Sequence, residues 1–429
     1  MTAAQHEPAA QQTSSALKSP VAQGAPAAHR PPVALSIAGT DPSGGAGIHA
    51  DLKAFTALGA YGTTVITALV AQNTHGVSRV YPVDTDFVAD QYDAVLDDIT
   101  IDATKTGMLG TRALVELAVD RAGRGDLGFF TVDPVMVATS GHRLLEQDAV
   151  GAVRDLLAPV ADLKAFTALG AYGTTVITAL VAQNTHGVSR VYPVDTDFVS
   201  DQYDAVLDDI TVDATKTGML GTRALVELAV DRAGRGDLGF FTVDPVMVAT
   251  SGHRLLEQDA VGAVRDLLAP VADLITPNLP EAALLLGDDV PAARDLDEQR
   301  AQAIELVRRG SRAVLLKGGH GLGDVLVDVL AVDTPQGVEL REFRHPRIAT
   351  PHTHGTGCTL SAAITAEAAT ALRAGRHLDS PDALAEVVAP SLDYLGRAIA
   401  SGADWQLSRT PDGSHGPVDH LVDLTGDAR

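Results

Sequence analysis

His354-Gly-Thr-Gly-Cys358-Thr-Leu-Ser361 sets two glycines, a threonine and the chain's one cysteine just ahead of a long alanine-rich segment. Small residues let successive backbone N–H groups turn toward one point. The dipole of the following helix adds partial positive charge there, so an anion can be held without a basic side chain. A transferring phosphoryl group needs such a cradle. A helix N-terminus also lowers a thiol's pKa. Taken alone, the same residues read equally well as a glycine-rich helix cap over a buried thiol.

A second glycine-rich turn, Gly39-Thr-Asp-Pro-Ser-Gly-Gly-Ala-Gly47, follows the apolar run Val33-Ala-Leu-Ser-Ile-Ala. No Gly-Lys-Ser/Thr ends it, so it is not a Walker A loop. Ile48, Leu52, Phe55 and Leu58 then fall on one helical face, and Gly59 ends the helix. Strands at 63–71, 103–108 and 129–135 alternate with helices at 85–99, 111–122 and 146–158. After residue 274 the pattern resumes: helices from 280 and over 293–309, a strand at 313–317, a hairpin within 324–348, and helices at 357–373 and 381–400. Strands alternating with helices at this pitch signal an α/β fold, a mainly parallel sheet with helices on both faces.

The chain carries its own middle twice. Residues 50–163 reappear at 161–274, shifted by 111 positions, with Ala89 becoming Ser200 and Ile101 becoming Val212. Solenoid units run to a few tens of residues and drift apart, so this is a duplicated segment and not a stacking array. Ala-Asp-Leu stands at the start of the first copy, at the joint and at the end of the second.

The formal charge of -23 over 429 residues offers no basic stripe, which argues against nucleic-acid binding. A single cysteine excludes an intramolecular disulfide framework and suits a reducing cytoplasm. No stretch approaches a membrane span, and no secretory signal is read at the N-terminus. Residues 1–31, rich in Ala, Gln, Ser and Pro, are expected to be disordered.

Seven motifs in order carry a resemblance: the 39–47 turn, Ala71-Gln-Asn-Thr74, Lys105-Thr-Gly-Met-Leu109, Asp133-Pro-Val-Met136, Thr276-Pro-Asn-Leu-Pro-Glu281, Leu316-Lys-Gly-Gly-His320 and the Gly-Thr-Gly-Cys turn. Together they closely resemble the bacterial hydroxymethylpyrimidine kinase / phosphomethylpyrimidine kinase family, ribokinase-like enzymes of thiamine biosynthesis. The resemblance implies ATP-dependent phosphorylation of 4-amino-5-hydroxymethyl-2-methylpyrimidine and then of its monophosphate, with Mg2+ assisting. It implies that Cys358 receives the hydroxyl proton, that Gly355 and Gly357 cradle the phosphoryl group and Lys317 meets the nucleotide phosphates, and that Gln72, Asp51, Gly45, Gly47, Met108 and Val135 hold the pyrimidine. Asn278 and Glu281 would organise Mg2+ through water. The partner is then a small molecule, and the family suggests dimers. Two departures stand out: His352 where many relatives have Asn, and His49 where Gln is common. Either could touch substrate or solvent, and a His352/His354 metal pair lacks supporting ligands. A pyridoxal or pyridoxine kinase, a non-catalytic binder and a misassembled gene product remain alternatives.

The duplication makes placement a question. Residues 32–162 and 274–429 would form the kinase domain. Residues 163–273, the duplicate of 52–162, would be extruded or would compete for the same place. Ejecting the second copy breaks the chain at a helix-to-strand connection away from the site, whereas ejecting the first severs the helix beside Asp51. The expected working set is therefore Gln72, Met108 and Asp133, with Gln183, Met219, Val246 and Asp244 as the duplicate-copy alternatives.

Overall fold

The computed structural model describes residues 30–133, 160–247, 256–287, 289–319, 323–410 and 412–424. The sequence-based helix at 146–158, Val135 and most of the N-terminal tail lie outside them. In the first copy, β1 (Val33–Ile37), α1 (Gly47–Ala57), β2 (Tyr61–Val65), β3 (Ala68–Asn73), β4 (Gly76–Pro82), α2 (Thr85–Leu96), β5 (Ala103–Thr106), α3 (Arg112–Arg124) and β6 (Phe129–Val132) follow in order. The second copy gives α4 (Val160–Ala168), β7 (Ala179–Asn184), β8 (Gly187–Pro193), α5 (Thr196–Leu207), β9 (Ala214–Thr217), α6 (Arg223–Arg235) and β10 (Phe240–Val243). α7 (Gln258–Ala263) also belongs to the second copy, and the remainder is β11 (Leu274–Ile275), α8 (Leu279–Leu286), α9 (Leu296–Arg308), β12 (Ala313–Leu316), β13 (Val325–Val332), β14 (Glu339–Pro346), α10 (Thr356–Arg373) and α11 (Pro381–Gly402).

Two sheets share the work. The first has order β2-β1-β5-β6 and is wholly parallel; the second has order β9-β10-β11-β12-β13-β14. In the second, β9 through β12 run parallel and the β13–β14 hairpin closes the edge antiparallel. All four residues of β10 are buried, as expected of a parallel strand covered on both faces. The single strand expected at 63–71 is instead two, β2 and β3, the latter pairing with β4 as a separate hairpin. No helix among the described residues is long and apolar enough to cross a membrane.

Neither copy is extruded, which corrects the expected placement. Residues 163–273 supply β9 and β10 to the sheet that carries β11 to β14, while the first copy stays with β1. The reason is chain locality: each half pairs strands that follow one another closely, so no long loop must close before contacts form. The feared cut beside Asp51 does not arise, because α1 runs on into its own copy. The shared Ala-Asp-Leu rebuilds α4 for the other.

The copies dock on each other about a pseudo-two-fold axis. Arg79 pairs with Asp201 at 2.5 Å and Arg190 with Asp90; each guanidinium also lies 5.2 Å from the ring centre of the opposite Phe198 or Phe87. Lys53 Nζ donates to Gly173 O at 2.9 Å and Lys164 Nζ to Gly62 O at 3.0 Å, each over the neighbouring tyrosine ring. Tyr81 and Tyr192 hydroxyls meet at 3.1 Å. Each patch meets its own duplicate, which is the geometry of an isologous dimer contained in one chain.

The symmetry fails at one place. Tyr-Gly-Thr-Thr-Val is strand β2 at 61–65, but the identical sequence at 172–176 forms no strand. In the first copy it pairs with β1. The second copy has no β1, and a parallel strand without a neighbour has nothing to bond to.

Candidate active site

Four parallel strands end at one edge, and each delivers a polar side chain there. β9 carries Lys216, and Asp244, Thr276 and Lys317 follow β10, β11 and β12 directly. Lys317 Nζ bonds Asp244 Oδ1 at 2.9 Å, Thr276 Oγ1 reaches the same oxygen at 3.3 Å, and Ser361 of α10 donates to Oδ2 at 3.3 Å. Lys216 holds both oxygens of Asp162 at 3.2 Å. Above them α10 opens at Gly355, whose φ of +81° is left-handed and favours glycine. A Cβ at Gly357 would lie 3.4 Å from Lys317 Nζ and 3.6 Å from Asp244 Oδ2, which sets this part of the helix N-terminus directly against the charged cluster. A cavity of about 930 Å³ runs past Asp162, Lys216, Met219, His354, Gly355 and Cys358.

The charges are buried and mutually dependent. Burial pushes the Asp244 carboxyl up, but Lys317 and Lys216 outweigh it and hold it below the usual range. Burial raises Asp162 despite Lys216. Burial lowers Lys317, but Asp244 and Glu281 reverse this and leave it raised. The thiol expectation is corrected: burial pushes Cys358 up to about 11, only partly opposed by Lys216 and Lys317. At the α10 N-terminus the loss of solvent outweighs the dipole, and Cys358 is a neutral thiol at pH 7. Iodoacetamide should therefore label the folded chain about 100-fold more slowly than an unperturbed thiol, a rate that mass spectrometry can follow.

Asn278 and Glu281 form a capping box on α8, each side chain bonding the other's backbone N–H at 2.9 Å. Burial raises Glu281 to about 6. A raised carboxyl means the folded state binds the extra proton, so this group's contribution weakens as pH climbs from about 4.5 to about 6, by about 2 kcal/mol. Glu281→Gln keeps the cap and removes the titration. The stability difference between parent and variant, from urea unfolding, should grow against the parent over that window.

The first copy repeats the cluster without the thiol. Asp51 accepts from Ser36 at 2.7 Å and from Lys105 at 3.0 Å, and Lys105 lies 3.5 Å from Asp133. The 39–47 turn stays on this side. Gly47 has φ of +55°, and a Cβ there would sit 1.8 Å from Gly39 O, so no side chain is tolerated. Gly45 packs near Asp41, and Met108 lies against Gly39 and Val70. Gln72 sits at the β3 bulge. The expected working set of Gln72, Met108 and Asp133 is thus held in the first copy, apart from Cys358, with Gln72 on the β3–β4 hairpin and Met108 and Asp133 just beyond β5 and β6. The residues gathered with the thiol are Asp162, Lys216 and Asp244. Met219 lines the same cavity, Val246 is half-buried after β10, and the Gln183 side chain lies outside the described residues. Both histidine departures are structural: His49 Nδ1 accepts from Asp41 N at 3.0 Å and Nε2 meets Thr175 Oγ1 at 2.8 Å, while His352 Nδ1 accepts from Gly416 N at 3.0 Å. Among the described residues no group of three or more His, Cys, Asp and Glu could hold a metal ion directly.

The phosphomethylpyrimidine kinase family model matches residues 41–161 and again 159–380. The chain belongs to that family. The hydroxymethylpyrimidine/phosphomethylpyrimidine kinase of Escherichia coli is 45% identical over 261 residues, 61% of this chain and 91% of that protein. Its Salmonella typhimurium counterpart is 49% identical over 264 residues, again 61% and 91%. A Bacillus subtilis pyridoxal kinase solved with ADP is 25% identical, covering 91% of this chain and 98% of that one; its TM-score of 0.46 is too low to bear on substrate. The fold is α/β, and the chain holds one family member's length of sequence and one extra copy of its middle.

Lys216 and its partner Asp162 carried no assignment in the sequence. The signal was available: the chain has six lysines, and Lys105-Thr-Gly-Met recurs as Lys216-Thr-Gly-Met.

Proposed function

We infer that this phosphomethylpyrimidine kinase transfers the γ-phosphoryl of ATP to 4-amino-5-hydroxymethyl-2-methylpyrimidine, and then phosphorylates the monophosphate to the diphosphate, in thiamine biosynthesis. The observation that carries this reading is identity of 45–49% across 91% of relatives named for that activity. The site chemistry agrees. The α10 N-terminus, with Gly355 and Gly357, offers N–H groups to the phosphoryl oxygens, and Lys317 and Lys216 add charge in a buried setting. Cys358 stands beside them as a neutral thiol that positions the hydroxymethyl group; Asp162 and Asp244 are the nearby carboxylates able to receive its proton. Mg2+ arriving with the nucleotide would neutralise phosphate charge. Glu281 and Asn278 are committed to the α8 cap, so they would reach it only through water. The pyrimidine would be met by Met219 and Val246 of the second copy; Gln72, Asp51, Gly45, Gly47 and Met108 form the corresponding set of the first. We place the enzyme in the cytoplasm, acting as a homodimer or, through its internal two-fold, as a single chain.

ADP release from ATP should depend on added hydroxymethylpyrimidine and exceed that with pyridoxal; release indifferent to the pyrimidine would refute the assignment. The division of parts, with the 39–47 turn in one half and Cys358 in the other, favours a second reading as a non-catalytic binder. Thermal stabilisation by the pyrimidine without turnover would support it. Amplifying the gene across the Asp162 joint and measuring its length decides whether the duplication is genuine.

A further inference from the structure

We propose that the groove between residues 172–176 and β9 is an open strand position whose occupant is the Val33–Ile37 strand of a second copy of this chain. β9 has one strand neighbour among the described residues, β10, and its other edge faces the cavity of about 930 Å³. The walls of that cavity repeat the walls that hold β1. In the first sheet β1 lies between β2 and β5, with Leu35 opposite Thr63 and Thr104, and Ser36 opposite Thr64 and Lys105. Residues 172–176 and 214–217 have the same sequences as β2 and β5.

The individual contacts are duplicated too. In the first sheet Asp102 accepts from Val33 N at 2.8 Å and from Arg30 at 2.6 and 2.7 Å. Tyr61 N donates to Pro32 O at 2.7 Å, Thr63 Oγ1 to Ala34 O at 3.3 Å, and Ser36 Oγ to Asp51. The counterparts Asp213, Tyr172, Thr174 and Asp162 all line the cavity, and the Asp213 carboxylate lies 3.7 Å from the exposed Arg373. A strand carrying Arg30, Val33 and Ser36 would find every acceptor and donor in its familiar place.

Each chain has two such positions and one β1. Its own β1 is bonded on both sides in the first sheet, and the loop behind it is tied by Thr175 N to Pro42 O at 3.0 Å. Exchange between two chains leaves the number of strand pairings unchanged. It moves β1 from a four-stranded sheet that ends at β6 onto the β9 edge of the longer sheet, with residues 172–176 on its far side. The 39–47 turn would then arrive beside Met219 and Cys358, as it lies beside Met108 in the first sheet.

The test uses the full chain and a fluorescent peptide of residues 30–38, read by anisotropy, together with light scattering and hydrogen exchange. None of these readouts requires turnover, so the proposal stands or falls apart from the kinase reading. The expected result is saturable binding of one peptide per chain, protection of amides 214, 216 and 218, and a concentration-dependent dimer that excess peptide dissolves. Asp213→Lys should weaken peptide binding about tenfold or more and abolish the dimer. A monomer at all concentrations with no peptide bound would overturn the proposal, and so would a dimer that survives Asp213→Lys. Residues 213, 215 and 217 face β10, so protection of the alternate amides 214, 216 and 218 in a dilute monomer would place the chain's own β1 there and overturn the second-copy assignment. Protection by peptide in the parent chain is measured without any variant, so a folding defect in Asp213→Lys leaves the test intact.

Discussion

Asp244→Ala is expected to destabilise the chain by about 3–5 kcal/mol, whereas Asp133→Ala, the same substitution in the same local sequence, should cost about 0–1 kcal/mol. Asp244 is 2% exposed and answers Lys317, Thr276 and Ser361, with Lys216 nearby. Removing it leaves buried ammonium groups without the carboxylate that balances them. Asp133 has a half-exposed side chain and one cation at 3.5 Å. Urea unfolding of the two variants side by side reads the difference directly. Equal losses would mean that the first copy, not the second, completes the buried cluster.

Lys216→Met is expected to lower kcat by about 10²–10³-fold, the range seen when one preorganised stabiliser of transition-state charge is removed. Lys105→Met should leave kcat near that of the parent. The stability cost of Lys216→Met is softened because burial pushes the Asp162 carboxyl up, and with Lys216 gone its strongest opposition is removed, so the carboxyl takes up a proton more readily. A fall in kcat with little change in KM places Lys216 on the phosphoryl group; a rise in KM alone would place it on ground-state binding.

Much of the fold was legible because it rests on local rules. The Ile48–Leu52 spacing gave α1, the Gly-Thr-Gly-Cys turn gave the start of α10, and the hairpin within 324–348 is β13 and β14. The cluster of Asn278, Glu281, Lys317 and Cys358 at the strand ends was also readable, since each follows a recognisable strand or opens a helix. Two things were not. The choice between identical copies carries no sequence information at all; chain connectivity made it, by pairing β10 with β11 and β1 with β5. The protonation of Cys358 depended on how deeply α10 is covered, which a helix-terminus argument omits.

One of the two exchanges between the copies changes a contact between neighbouring helices of the same copy. Ser200 accepts from Arg232 at 2.9 Å, while Ala89 in the matching position has no oxygen to offer Arg121. In an assembly of two separate polypeptides every change in the gene appears on both sides of the axis. Fusing both sides into one reading frame lifts that restriction, so each face can drift alone, and the serine is the first mark of a molecule free to give its two halves different jobs.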